Sequence, residues 1–357
     1  MPPCRSSRRP EEALETFAAG GLLGLEEVFS VRGEKRFSGG FSMSDQGYSF
    51  GAANPRVAEA LRQLSLILHG KEAVLIRLLA CVFAGGHLLL EDLPGLGKTT
   101  LALAAARLLG MRFGRVQCTN DLLPTDVTGL SIYKAETGQF EFHPGPVFNN
   151  LLLVDEINRA TPKTQSALLE AMGEEQVTVD GTSYALPRPF FVIATQNPVE
   201  HAGTFPLPES QMDRFMVKAS VGYPSREAER QILRLGSQRK DLFSFPSLFT
   251  AEEIVALQSM VERDIRVDDR ILDYVLDLAE RTRNHPQLEC GVSPRGAMMV
   301  LRVARSLAWM RGRDYVVPED IRFLAPEILA HRLQPSAGGP SSRGEILQSI
   351  LDAVPIP

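Results

Sequence analysis

The chain has 357 residues, 44% of them hydrophobic and 23% charged, with a net charge of −5 at pH 7. That length accommodates two globular domains and a tail, and the composition is ordinary for a soluble globular protein. The acidic balance speaks against a surface built for nonspecific nucleic-acid binding and leaves room for a local basic patch. Cys4, Cys81, Cys118 and Cys290 lie far apart with no C-x-x-C, which reads as free thiols in a reducing, cytoplasmic compartment.

Residues 1 to about 50 are rich in Gly, Ser, Arg and Pro, with one short apolar pattern from Leu22 to Phe29, and weak order is expected there. Arg5, Arg8 and Arg9 are not followed by an apolar core, so no signal peptide is expected. Helical periodicity begins only near Val57, which makes Met43 a candidate start. From Val57 to Phe83 the apolar spacing predicts two helices around Gly70-Lys71. The most apolar stretch, Ala73 to Leu90, is interrupted by Arg77, Gly85, Gly86 and His87, so it reads as a buried helix, a turn and a buried strand rather than a membrane span.

A strand over His87 to Glu91 runs into Leu93-Pro94-Gly95-Leu96-Gly97-Lys98-Thr99-Thr100, and a helix follows from Thr99 to Leu109. Further strands are predicted at Phe113–Cys118, Leu151–Asp155 and Phe190–Thr195, with a helix from Pro162 to Met172. Leu130 to Phe142 alternates on both sides of a Thr137-Gly138 turn, and Val177 to Leu186 on both sides of Asp180-Gly181; both read as hairpins. Strands alternating with helices predict a parallel sheet covered on both faces. After Tyr223-Pro224 only helical patterns remain: 226–235, 251–261, 268–282, 294–311 and 318–331. A break at 336–342 precedes a short terminal helix. The predicted division is a weakly ordered extension over 1–50, an α/β core over 51–222, and an all-helical domain with its tail over 223–357.

Strand, glycine loop and helix in that order make a phosphate cradle. Glycines let backbone N–H groups approach an anion, and the helix N-terminus adds its dipole. A lysine closing the loop reaches β- and γ-phosphates, and a Thr hydroxyl binds Mg²⁺. A chance Gly-Lys-Thr in a loop is the bland alternative, and the flanking strand and helix speak against it. The strict motif places glycine where this chain has Asp92, whose side chain must point away from the phosphates.

Asp155 and Glu156 close a buried strand. ATP hydrolysis needs one carboxylate to hold Mg²⁺ and another to orient and deprotonate water, and an acidic pair at a strand's carboxyl end supplies both. Asn197 ends the next strand, where an amide can hold the attacking water or touch the γ-phosphate; an Asn in a turn before Pro198 is the plain alternative. Arg214 and Arg295 can each stabilise a transferring phosphate or serve as surface ion-pair partners.

These residues resemble the MoxR group of AAA+ ATPases. The likeness is carried by Leu90–Thr99, Phe140–Phe148, Val154–Ala160, Pro162–Met172, Ala194–Pro198, Pro206–Phe215 and Arg311–Asp320, and it covers roughly residues 57 to 333. It implies a P-loop NTPase core, an α/β parallel sheet with helices on both faces, followed by a small all-α lid. It implies Mg²⁺ and ATP as cofactors, with Pro94, Gly95, Leu96, Gly97, Lys98, Thr99 and Thr100 around the nucleotide. Thr99 and Asp155 would hold the metal, Glu156 would be the catalytic base and Asn197 the first sensor. Arg214 would be the finger reaching a neighbouring subunit's ATP, and Arg295 the second sensor in cis. The two hairpins would be a helix-2 insert and a pre-sensor hairpin facing the ring's pore or its client. Family members are thought to work as rings, typically hexamers, remodelling client proteins beside partners with a von Willebrand factor A domain. Val292 and Gly296 flank Arg295 where the family more often has Ala. Gly296 early in a helix costs about 0.5–1 kcal/mol relative to Ala, and a looser lid is expected from it.

Three other functions fit parts of the pattern: an ion-chelatase motor subunit, a nucleic-acid motor and a nucleotide-dependent scaffold without hydrolysis. A nucleic-acid motor needs basic hairpin tips, and the tips here offer only Lys134 nearby. Glu156 and Asn197 speak against the scaffold.

Overall fold

Two helices open the computed structural model, which describes residues 54–197, 203–235, 246–336 and 342–357. The expectations for residues 1–50, for Pro198 and for most of the break at 336–342 fall outside the described residues. Helix α1 (Pro55–Ile67) starts on Asn54, whose side chain accepts the Arg56 N–H. Helix α2 (Glu72–Phe83) is apolar nearly all round and accordingly buried from Val74 to Phe83 apart from the half-buried Arg77. The two helices flank Gly70, as the spacing predicted.

The core is a five-stranded sheet of β1 (Leu88–Glu91), β2 (Phe113–Gln117), β5 (Leu151–Asp155), β8 (Phe191–Gln196) and β9 (Val217–Ala219), in the order β2-β5-β8-β1-β9. Every pairing is parallel, with Leu153 opposite both Arg115 and Ile193, and Leu90 opposite both Thr195 and Ala219. All five residues of β5 are buried, the signature of a parallel strand covered on both faces. The parallel arrangement brings all the strands' carboxyl ends to one edge, where ligands of open α/β sheets bind.

Between the core strands lie α3 (Lys98–Leu108), the single turn α4 (Pro124–Thr128), hairpin β3 (Gly129–Lys134) with β4 (Gln139–Pro144), and α5 (Pro162–Glu174). Then come hairpin β6 (Gln176–Val179) with β7 (Thr182–Ala185) and the turn α6 (Glu209–Met212). The second hairpin closes on two residues, Asp180 at φ +51° and Gly181 at φ +76°, both left-handed as a tight type I′ turn demands. The first is wider: Lys134 pairs with Gln139, leaving four residues in the loop. A stack of Phe142 on Tyr184, ring centroids 4.0 Å apart, joins the two hairpins.

The rest is helical: α7 (Arg226–Leu235), α8 (Ala251–Asp264), α9 (Asp269–Arg283), α10 (Pro294–Met310), α11 (Pro318–Leu329) and α12 (Arg343–Ala353), with one small pair β10 (Leu288–Cys290) and β11 (Gln334–Pro335). The periodicity that suggested one helix to His331 resolves into α11 and a tighter 3₁₀ turn, Ala330–Arg332. Helix α10 packs along α2, where Phe83 meets Trp309 edge-on at 5.0 Å. Among the described residues no helix is long and apolar enough to cross a membrane, and Cys81, Cys118 and Cys290 are free thiols.

Candidate active site

The turn between β1 and α3 is built from residues that give up side chains. Gly95 and Gly97 both sit at φ +86°, a conformation that side chains resist. Gly97 is the residue before α3, and no side chain caps that helix. Helices normally satisfy their first N–H groups with a capping oxygen, so an uncapped start after a left-handed glycine is a backbone suited to an anion. Open space surrounds Gly95. Lys98 curls back over the turn and donates to the carbonyls of Asp92 (2.6 Å) and Leu93 (3.2 Å). Burial lowers its pKa, and the charges of Asp92, Asp155 and Glu156 oppose that shift.

Asp92 does point away from the turn. Its carboxylate, 6% exposed, accepts from the Ser220 hydroxyl (2.6 Å) and from the backbone N–H of Val221 (2.5 Å) and Gly222 (3.0 Å). A residue at the usual glycine position therefore ties the phosphate turn to the chain leaving β9.

Asp155 ends β5 and is 7% exposed. Its Oδ2 accepts from Arg115 Nε at 2.8 Å, and Thr195 donates to Oδ1 at 3.4 Å. Glu156 follows in the left-handed region at φ +56°, a strain of about 1 kcal/mol or more for a side chain of this kind, and one that recurs at functional sites. Its N–H donates to Thr195 Oγ1 (2.9 Å), and its carboxylate pairs with Arg159 (3.1 Å). Thr195 of β8 thus fixes both ends of the acidic pair. The Cys118 thiol beside them is pushed up to about 12 by burial and by the two carboxylates. Asn197 stands half-buried just past β8, its carbonyl accepting from Asn158 at 3.4 Å.

The two candidate arginines make their contacts elsewhere. Arg214 lies across α5 and donates to the Leu169 carbonyl at 2.5 Å; Gly173 leaves room for it, since a Cβ there would lie 2.2 Å from the guanidinium. Arg295, half exposed near the start of α10, has Nε 3.9 Å from Asp213. At Gly296, where the sequence suggests a looser lid, a Cβ would meet Arg332 Cδ at 2.9 Å and Val292 Cγ1 at 3.0 Å, so the glycine leaves room for Arg332.

Sequence reasoning missed Arg115, Thr195, Asn158, Asp213 and Arg332. Arg115 carried a readable signal, a cation alternating with apolar residues on a strand beside the acidic one. The others are defined by partners far away in the chain.

The residues at this edge fit Mg²⁺ and a nucleoside triphosphate: hard oxygen atoms on Thr99 and Asp155, an ammonium, and an uncapped helix start. The model of the ATPase family associated with various cellular activities (AAA) matches residues 87–217, and that of the AAA lid domain matches residues 280–350. YeaC of Bacillus subtilis is 46% identical over 307 residues, 85% of this chain and 96% of its own. Chaperone MoxR1 of Mycobacterium tuberculosis is 42% identical over 287 residues, 77% of this chain and 74% of its own. A crystal structure of a candidate ATPase from Cytophaga hutchinsonii superposes with a TM-score of 0.79 at 37% identity, covering 85% of this chain and 95% of that one.

Proposed function

This chain belongs to the MoxR family of AAA+ ATPases, and from that premise we propose that it is an ATP-hydrolysing motor that works as a ring, a hexamer, in the cytoplasm. Its proposed work is chaperone-like remodelling of client proteins, with a von Willebrand factor A domain protein as partner. Residues 51–222 form the proposed ATPase core and 223–357 the lid and tail.

The observation that carries this reading is an uncapped helix start behind left-handed Gly97, with Lys98 folded over the turn and Asp155 and Glu156 closing a strand whose carboxyl end lies at the same edge of the sheet. Bound Mg-ATP supplies the scissile γ-phosphoryl group. Residues 94–97 offer backbone N–H groups to the phosphates. Lys98 exchanges its two carbonyl partners for phosphate oxygens. Thr99 and Asp155 would hold the metal, with Thr100 alongside. Glu156 would take the proton of the attacking water, its carboxylate leaving Arg159 while Thr195 holds its left-handed backbone. Asn197 orients that water. Arg214 serves a neighbour's nucleotide, and Arg295 serves its own.

A protein client is favoured over nucleic acid by the surface of the first hairpin. Ile132, Tyr133 and Phe140 are exposed, Tyr133 packs edge-on against Phe140 at 5.4 Å, and Lys134 is neutralised by Glu141. Such a tip offers apolar contact and little charge for phosphates.

The test is phosphate release by the wild type and by Glu156→Gln. Removal of the base is expected to slow turnover at least ~100-fold while ATP binding persists. A wild type no faster than the variant would favour a nucleotide-dependent scaffold and reject the motor.

A further inference from the structure

Arg332 is an arginine enclosed by protein. It sits in the 3₁₀ turn after α11, its side chain 3% exposed, in the segment matched by the lid model. Its guanidinium reaches out of that segment into the one matched by the ATPase model. Nε donates to Asp213 Oδ1 at 2.8 Å, and Nη2 donates to the carbonyls of Phe215 (2.6 Å) and Asp213 (3.3 Å). Asp213 is its one carboxylate partner among the described residues. A buried guanidinium that loses its carboxylate is left as an uncompensated charge, so separating the two is costly.

Asp213 stands next to Arg214, and the two side chains face different structures. Asp213 is gripped from the lid side, by Arg332 at 2.8 Å and more loosely by Arg295 at 3.9 Å. Arg214 lies on α5, bonded to the Leu169 carbonyl. The next residue, Phe215, is wholly buried and anchors the segment in the core. At the other end of this short stretch Glu209 meets Arg343 of the last helix at 3.5 Å, a second tie from the same side. Helix α5 in turn begins just after the 3₁₀ turn that follows Glu156. The residue assigned to the neighbour's nucleotide is therefore mounted between the lid and the helix that leaves its own subunit's acidic pair.

We propose that Asp213 is a positioning residue: held by Arg332, it sets where Arg214 stands, so that displacement of the lid in one subunit advances or withdraws Arg214 at the ATP of the next. This rests on the reading of Arg214 given above. The device is a two-armed contact between packed elements, the kind that transmits small shifts without deforming a core.

The decisive experiment is a double-mutant cycle in full-length, assembled protein, reading kcat and KM for ATP. Asp213→Asn keeps an oxygen for Arg332 and removes the charge. It is expected to lower kcat at least about 5-fold with KM within about 2-fold, and Asp213→Asn with Arg214→Ala is expected to be no slower than Arg214→Ala alone. Multiplying effects, or a rise in KM with kcat kept, would overturn the proposal. Arg214→Ala with undiminished kcat would reject the finger reading itself, and the clasp with it. Arg332→Lys keeps the charge and loses the fork, and it is expected to show the same non-additivity. A measurement without these variants uses hydrogen exchange in Glu156→Gln with and without Mg-ATP. Protection over 209–216 and 328–333 is expected to change together, and a change in one segment alone would overturn the coupling.

Discussion

The two ends of the central sheet are built on opposite principles. At the amino end the polar groups are closed. His87, 8% exposed, accepts the Val192 N–H on Nδ1 (3.1 Å), and its Nε2 meets the Met172 carbonyl (3.2 Å). Asn150 donates to the carbonyls of Arg188 and Pro189 and accepts from the Arg112 N–H. At the carboxyl end the groups stay poised: a helix without a cap, two left-handed glycines, a left-handed Glu156, and a lysine resting on carbonyls. Both ends hold polar residues beside buried strands. The difference lies in the backbone: the carboxyl end alone joins left-handed residues to an uncapped helix start, and such strain marks a place for a ligand.

The largest effect expected from this contrast is at Lys98. Lys98→Ala removes the one cation of the turn, and ATP affinity measured by calorimetry is expected to fall about 100-fold or more, the loss of two or so charge-assisted bonds. Unfolding free energy is expected to change by less than about 1 kcal/mol, because the ammonium bonds only to carbonyls that water can also serve. A variant that unfolds while its remaining native fraction binds ATP normally would put Lys98 with the structural groups.

Much of the carboxyl end was legible in the sequence because it is local chemistry. A glycine turn between a strand and a helix, an acidic pair closing an apolar run, and an Asp-Gly hairpin are each fixed by a few neighbouring residues. What was not legible depends on partners brought from afar. Asp92 was readable as an anomaly, but its three donors lie at Ser220 to Gly222, on the chain leaving a strand at the sheet's edge. Arg115 meets Asp155 only because β2 and β5 pair in the register that sets Gln117 beside Asp155. The space that Gly296 leaves was hidden for the same reason. Helix propensity sees a missing methyl, whereas the fold places Arg332 in the space.

The amino end makes the next largest prediction, in acid. Burial holds the His87 imidazole neutral down to about 4, against an ordinary value near 6.5, and His331 is shifted in the same direction by burial and by Arg332. The unfolded chain thus binds protons that the folded one refuses. Stability is whole above pH 6.5 and falls as pH drops from 6.5 toward 4, by on the order of 3 kcal/mol for His87. Urea unfolding at pH 7 and pH 4.5 measures it. In His87→Gln, whose amide can donate to Met172 and accept from Val192, the acid decline is expected to be shallower, leaving the share of His331 and the carboxylates. An unchanged slope would mean that His87 is not a closed, neutral group.

The smallest effects come from a pair of glycines, and they cross. Gly86 precedes β1 at the amino end, where a Cβ would lie 2.4 Å from Met216 Sδ and 2.5 Å from Met216 Cβ. Gly95 lies in the phosphate turn, where a Cβ meets nothing within 4 Å but the backbone is left-handed. Gly86→Ala is expected to destabilise by about 1–3 kcal/mol through overpacking, with ATP affinity of the folded protein unchanged. Gly95→Ala is expected to cost about 1 kcal/mol in stability through its φ angle and to weaken ATP binding severalfold, because the added methyl stands where phosphate oxygens would approach the backbone. Denaturant midpoints and nucleotide titrations on both variants separate the two ends. Equal losses of affinity in the pair would break the distinction, since space closed by a methionine and space open to solvent would then serve the nucleotide alike.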